Sequence, residues 1–261
     1  MNDTSLSRAI ADHGVAVGCM LFEFDTPRVM RLLASAGVDF ALFDLEHTAW
    51  DAESLRRTLA AGRATGIHTV TRVVRAQYPL VATALDAGSR GVMAPMVESV
   101  EEARLLVESS RYPPLGRRGF GVVMPDELED GPAAAAERAN RDIVVIVQIE
   151  SESGVEHADE ILSVPGIDAA WVGQFDLSLS LDCPGEFEHP RYVEAVDRLL
   201  DVCRRRGIPL GQLVASAEAG AAAAAQGFQL LAFADVWIFE RALREGVAGL
   251  RRESPARRTR A

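Results

Sequence analysis

Apolar residues along this chain follow two periodicities that take turns. Short runs of adjacent apolar residues, such as "GVAVGCML", "DFALFDL" and "DIVVIVQI", alternate with longer stretches whose apolar positions lie three and four residues apart. The first pattern suits strands covered on both faces, the second helices with one apolar stripe. The runs predict strands near 15–22, 38–44, 68–74, 90–95, 143–149, 168–173, 208–213 and 228–233. Helical patterns fall near 27–36, 51–65, 78–87, 98–109, 155–163, 190–206, 216–226 and 235–249. Eight strand–helix pairs in 261 residues predict a single (β/α)8 barrel. A doubly wound sheet would carry a glycine-rich phosphate loop after its first strand, and "GCMLFEFDTP" has no GxGxxG. The barrel is expected over residues 1–250, with "RRESPARRTRA" at 251–261 as a basic, solvated and disordered tail. Residues 111–131, "RYPPLGRRGFGVVMPDELEDG", break the rhythm, as functional loops or interfaces do.

Composition narrows the chemistry. A net charge of -11 argues against a nucleic-acid partner. No apolar run is long enough to span a membrane, and the N-terminus lacks the layout of a signal peptide. Three cysteines without CxxC spacing suggest neither a disulfide frame nor a zinc site, so a cytoplasmic home is expected. All 27 basic residues are arginine. Without lysine, side-chain Schiff bases, pyridoxal phosphate enzymes and the P-loop lysine are excluded.

In a barrel the reacting groups sit where strands end. The second strand ends in "ALFDLEHTAWD", which puts Asp44, Glu46 and His47 beside a core where charge is costly unless paired or metal-bound. The third gives Arg72, and the helix starting near Tyr78 carries Asp86. The fifth delivers Gln148 and Glu150, the sixth Asp176. Glu150 and Asp176 leave consecutive strands at equivalent points, so their carboxylates can converge on a hard divalent cation such as Mg²⁺ or Mn²⁺. For Asp176 alone, a helix cap is the competing reading. His47, at a strand exit with an acid nearby, is a candidate base. The other four histidines are read as structural.

Five stretches, "FDLEH", "LDAGSRGVMAPMVESVEEA", "RYPPLGRRGFG", "VQIES" and "GIDAAWVGQFDLS", together resemble the HpcH/HpaI aldolase family over about residues 15–245. These are metal-dependent class II pyruvate aldolases whose relatives cleave 4-hydroxy-2-oxo-heptanedioate or 2-dehydro-3-deoxyglucarate. The resemblance implies Glu150 and Asp176 as ligands of Mg²⁺, Mn²⁺ or Co²⁺, and Gln148 as a substrate hydrogen-bonding residue. It implies Arg72 as the stabiliser of the enolate oxygen and His47 as a base acting through water. Asp86 would pair with that histidine, and Asp44 would hold a metal-bound water. It further implies pyruvate and an aldehyde as substrates and a homohexamer built as a trimer of dimers; the insertion at 111–131, with Tyr112, Pro113, Pro114 and Phe120 as apolar anchors, is the expected interface element. Related enolate chemistry, such as oxaloacetate decarboxylation or a malyl-CoA-type lyase reaction, is the alternative.

The chain departs from the family where a proline and a small residue usually precede the metal-binding aspartate; Gln174 and Phe175 stand there. Pyruvate contact at this turn is expected from backbone N–H, with the Phe175 ring narrowing the pocket. Residues 122–131 hold Asp126, Glu127, Glu129 and Asp130 and no basic residue. With Phe175 and Trp50 as apolar walls, a neutral acceptor, hydrophobic or aromatic, is expected over an acidic semialdehyde.

Overall fold

The computed structural model describes residues 4–121 and 131–253. The acidic stretch at 122–130 and the tail beyond 253 lie outside the described residues. Eight parallel strands close into one barrel in chain order. They are β1 (Ala16–Leu21), β2 (Phe40–Asp44), β3 (His68–Arg72), β4 (Gly91–Ala94), β5 (Val144–Ile149), β6 (Ala169–Val172), β7 (Leu210–Leu213) and β8 (Leu230–Ala234). Each falls within two residues of its expected position. The helices are α1 (Ser5–His13), α2 (Val29–Ala36), α3 (Ala52–Gly62), α4 (Tyr78–Asp86), α5 (Val100–Ser110) and α6 (Pro132–Asp142). After β5 come α7 (Glu152–Glu156), α8 (Ala158–Ile161), α9 (Gln174–Ser180), α10 (Pro190–Arg206), α11 (Ala217–Gln226) and α12 (Asp235–Glu253).

The strands alternate between two cores. Phe40 and Leu42 of β2 point into the barrel with Met20, Val70, Met93, Ile146 and Trp171, whereas Ala41 and Phe43 point outward to α2 and α3. This is why the strands are apolar on both faces. The Phe40 ring fills the place a β-carbon at Gly18 would take, directly across the β1–β2 register.

Three helices depart from the pattern-based expectation. α1 precedes the barrel, opens on a Thr4 capping box and packs Leu6 and Ala9 into the barrel-interior cluster. A plug needs only this small apolar footprint, so its sequence signal is weak. α6 follows the irregular segment, and α9 is a short helix at the sixth strand exit. The stretch expected as one helix at 155–163 divides into α7 and α8 at His157.

The outer surface has two distinctive regions. Arg111 is buried and donates to the Asn140 and Ile143 carbonyls at 2.7 Å and to Asp168 at 2.8 Å. It pins the start of the irregular segment, and the adjacent buried Tyr112 packs under Arg118 and Phe120. The last helix, α12, packs on β1 and β8, and its Phe239 meets Phe24 edge-on at 5.6 Å between centroids. Phe239, Leu243, Val247 and Leu250 form an exposed apolar stripe along it. No helix of the described residues is long and apolar enough to cross a membrane. All three cysteines are buried and free, and burial pushes the Cys19 and Cys203 thiols up to about 12.

His68 opens β3 in full burial, with Ser5 Oγ 3.3 Å from Nδ1 and no partner at Nε2 among the described residues. Burial, helped by Arg90 and opposed by Asp142, lowers its pKa from 6.5 to about 3. The unfolded chain therefore binds the proton more tightly, so this contribution is complete above pH 6.5 and is lost as pH falls toward 3. Between pH 7 and pH 5 the loss should be about 2 kcal/mol. Urea unfolding at both values should show it, and His68→Gln should flatten the difference; an equal slope in the variant would exclude His68 as its source.

Candidate active site

The register of β2 against β3 sets the last residues of the two strands, Asp44 and Arg72, side by side. Arg72 Nε donates to Asp44 Oδ1 at 2.7 Å, and both side chains are buried. The Asp44 carboxylate also accepts the backbone N–H groups of Glu46 (3.0 Å) and His47 (3.1 Å). Thr48 closes the turn with a hydroxyl hydrogen bond to the Asp44 carbonyl. An aspartate that bonds backbone two and three residues on bends the chain sharply. The bend presents Glu46 and His47 at the barrel mouth. Asp44 thus positions Arg72 and the turn.

The guanidinium reaches two further groups. Its Nη1 lies 3.3 Å from Glu46 Oε2 and 3.5 Å from Gln148 Oε1. The Gln148 amide nitrogen donates in turn to Glu150, whose other oxygen accepts the Met96 N–H at 2.8 Å. Met96 follows the "MAP" end of β4 with φ of 51°, a left-handed conformation uncommon for a side-chain-bearing residue. That twist aims its N–H at the carboxylate. Burial pushes the Glu150 pKa up; the Gln148 and Met96 hydrogen bonds oppose this, and the Asp176 charge adds to it. Glu46 is also raised, by burial first, against the pull of Arg72 and His47.

Asp176 sits in the first turn of α9 and makes no capping hydrogen bond there. It is exposed and shares a cavity of about 430 Å³ with Glu150, Arg72, Gln148 and His47. Gly173, between β6 and α9, leaves room for Glu150: a β-carbon there would strike its carboxylate. The rest of the lining includes Met20, Phe22, Trp171, Phe175, Leu213 and Trp237, which make it largely apolar. Among the described residues no three or more ligating side chains cluster. The donor set that fits a cation is the pair of carboxylates, and hard oxygen donors with open positions suit a divalent ion completed by substrate and water.

His47 stands at the cavity rim, its side chain 58% exposed, with Nε2 3.6 Å from Glu46 Oε2. The carboxylate beside it in this chain is therefore Glu46, and Asp86 is not. Asp86 ends α4, and because barrel helices run against their strands this end lies at the opposite rim. There it accepts from Arg118 Nη2 at 2.6 Å in a cleft with Ser89 and Arg90, which precede β4. Trp50 packs edge-on against Phe43 in the outer layer, 5.4 Å between centroids, and does not line the cavity. Met96, Gly173 and the position of Glu46 escaped the residue-by-residue reading. So did Asp235, which accepts the N–H groups of Phe22, Glu23 and Phe24 at 3.0–3.1 Å and ties the loop after β1 to the site. Only the Glu46–His47 adjacency was visible as a signal.

Removing one member of a buried ion pair leaves the other charge uncompensated, at about 3 kcal/mol or more. Asp44→Asn is expected to lower unfolding stability by about that amount. Asp44→Asn combined with Arg72→Met should recover much of the loss. Chemical denaturation of Asp44→Asn, Arg72→Met and the double variant tests this, and additive losses would refute the coupling.

A sequence model of the HpcH/HpaI aldolase/citrate lyase family matches residues 19–234. The hydroxypyruvate/pyruvate aldolase of Chromohalobacter salexigens is 34% identical over 92% of this chain and 95% of its own length. That of Roseovarius nubinhibens is 35% identical over 78% of this chain and 80% of its own. The crystal structure of an HpcH/HpaI aldolase from Desulfitobacterium hafniense superposes with a TM-score of 0.88 at 30% identity, covering 96% of this chain and 98% of the other. The barrel, its charged C-terminal mouth and a match spanning β1 to β8 agree: this chain is a carbon–carbon lyase of the aldolase type, belonging to the HpcH/HpaI aldolase/citrate lyase family.

Proposed function

We propose that the chain is a divalent-metal-dependent aldolase that joins C3 of pyruvate to the carbonyl carbon of an aldehyde and cleaves the 4-hydroxy-2-oxo acid in reverse. The observation that carries this reading is the Glu150–Asp176 pair opening on the cavity that holds Arg72, Gln148 and His47. The relatives named hydroxypyruvate/pyruvate aldolases support a 2-oxo acid as donor. Glu150 and Asp176 would hold Mg²⁺, Mn²⁺ or Co²⁺. When bound, the ion supplies Lewis acidity at the 2-oxo group.

The chain's own residues do the rest. Arg72, fixed by Asp44, offers its charge where negative charge builds on the 2-oxo oxygen, and no reorganisation is needed when it does. Gln148, bridging Arg72 and Glu150, sets the distance between cation and carboxylate. His47 takes the C3 proton through water and returns it to the aldehyde oxygen, with the Glu46 carboxylate beside it. Asp44 serves this chemistry by positioning. Backbone at Gln174–Asp176 borders the pyruvate end, and the Phe175 ring lines the remainder of the cavity. Asp86 joins no such set within one chain; a role beside His47 would require a second copy.

Self-association belongs to the same proposal. An exposed stripe of four large apolar residues on α12 is an interface waiting for a surface. A homohexamer is the assembly the family resemblance suggests. Leu243→Glu with Leu250→Glu should shift the sedimentation coefficient to a smaller species, and no shift would remove α12 from the interface.

Exhaustive chelation should abolish aldol cleavage, and added Mg²⁺, Mn²⁺ or Co²⁺ should restore it. Borohydride with pyruvate should leave no adduct. Glu150→Gln should lose metal binding by calorimetry while keeping the fold. His47→Ala should slow deuterium exchange at pyruvate C3 by roughly 10²–10⁴-fold. Full turnover after chelation, or unchanged exchange in His47→Ala, would sink the corresponding assignment.

A further inference from the structure

We infer that the acceptor half of this site selects aromatic aldehydes, received against a wall built from Phe175 and Trp237. The inference rests on the pyruvate aldolase reading and names the partner substrate.

Phe175 immediately precedes Asp176, so its ring is carried at the same helix turn as the second carboxylate. It lines the cavity and remains 47% exposed. Two neighbours hold it edge-to-face: Trp237, with centroids 6.0 Å apart at 74°, and Phe187, at 5.4 Å and 74°. Phe187 is braced in turn by the buried Tyr192 of α10, 5.3 Å away. Phe187 and Tyr192 stand behind the cavity, while Phe175 and Trp237 face it. Aromatic side chains have few rotatable bonds, so a ring network of this kind is a fixed surface that a guest ring can extend by stacking or edge contact.

The charge distribution points the same way. An acidic acceptor would need a cation for its distal carboxylate. Among the described residues lining the cavity, the one guanidinium is Arg72, already engaged by Asp44, Glu46 and Gln148. Phe22 and Leu213 extend the apolar lining beyond Phe175 and Trp237. A volume of about 430 Å³ accommodates a three-carbon acid together with a one-ring aldehyde, within the roughly 300–1,000 Å³ of small-molecule sites.

The reaction balances without a further reagent. Pyruvate C3 loses a proton and bonds the aldehyde carbon; the C=O π electrons move to the aldehyde oxygen, which takes that proton. The product is a 4-aryl-4-hydroxy-2-oxobutanoate.

The test uses the full chain loaded with Mn²⁺. Wild-type kcat/KM is measured with pyruvate and benzaldehyde, propionaldehyde or succinic semialdehyde, beside deuterium exchange at pyruvate C3 without acceptor. Benzaldehyde should exceed succinic semialdehyde about tenfold or more. Each aromatic pair is worth roughly two- to tenfold, so Trp237→Ala should cut the benzaldehyde-to-propionaldehyde ratio by about that factor. Trp237→Leu, which keeps an apolar side chain in place, should lower the same ratio and serves if the alanine variant fails to fold. Exchange together with a preference for succinic semialdehyde would overturn this inference and leave the aldolase reading standing. Equal use of benzaldehyde and propionaldehyde would also overturn it. Absence of exchange in the metal-loaded wild type would overturn the aldolase reading and this inference with it.

Discussion

One buried guanidinium organises the mouth of this barrel. Arg72 lies between Asp44, Glu46 and Gln148, with Glu150 one hydrogen bond further on. Three carboxylates thus gather about a single cation, and a fourth, Asp176, opens on the same cavity. Buried charge of one sign is tolerated only when something of opposite sign completes it. The excess of carboxylate over guanidinium is the electrostatic reason for proposing a divalent cation between Glu150 and Asp176. Burial drives the upward pKa displacement of Glu46 and Glu150, and repulsion from neighbouring carboxylates reinforces it.

The barrel supplies the precision this arrangement requires. Asp44 and Arg72 meet because they close neighbouring parallel strands in register. Glu150 is held by backbone from the strand before it, through the left-handed Met96, and given space by the strand after it, through Gly173. Rigid strand ends fix each group, while the short turns between strand and helix carry the groups that must approach substrate. His47, on such a turn, is exposed and adjustable; Arg72 and Glu150 are neither.

The two ends of the molecule are built for different purposes. At the N-terminal end α1 closes the barrel and His68 is buried uncharged, an arrangement that favours stability near neutral pH. At the C-terminal end charges and aromatic rings share one cavity. α12 starts there and carries an exposed apolar stripe, which is why assembly belongs with the functional reading.

Apolar periodicity was enough to locate all eight strands and the barrel, because strands covered on both faces have an unmistakable composition. It also marked the strand ends, and with them Asp44, Arg72, Gln148, Glu150 and Asp176. Local pattern failed for α1, α6 and α9, whose buried faces are small, and for the helix that divides at His157. Spatial pairing was beyond it altogether. Which carboxylate stands beside His47 depends on helix direction across the barrel, and that direction carries Asp86 to Arg118 and leaves Glu46 in its place. Trp50 was drawn into the outer core by Phe43, whereas Trp237, nearly 190 residues further along, was brought to the cavity by barrel closure. The Met96 N–H, the room at Gly173 and the carboxylate clamp of Asp235 are properties of backbone geometry. Sequence determined which residues the mouth of the barrel would contain; only closure of the sheet, with its register and handedness, decided which of them face one another.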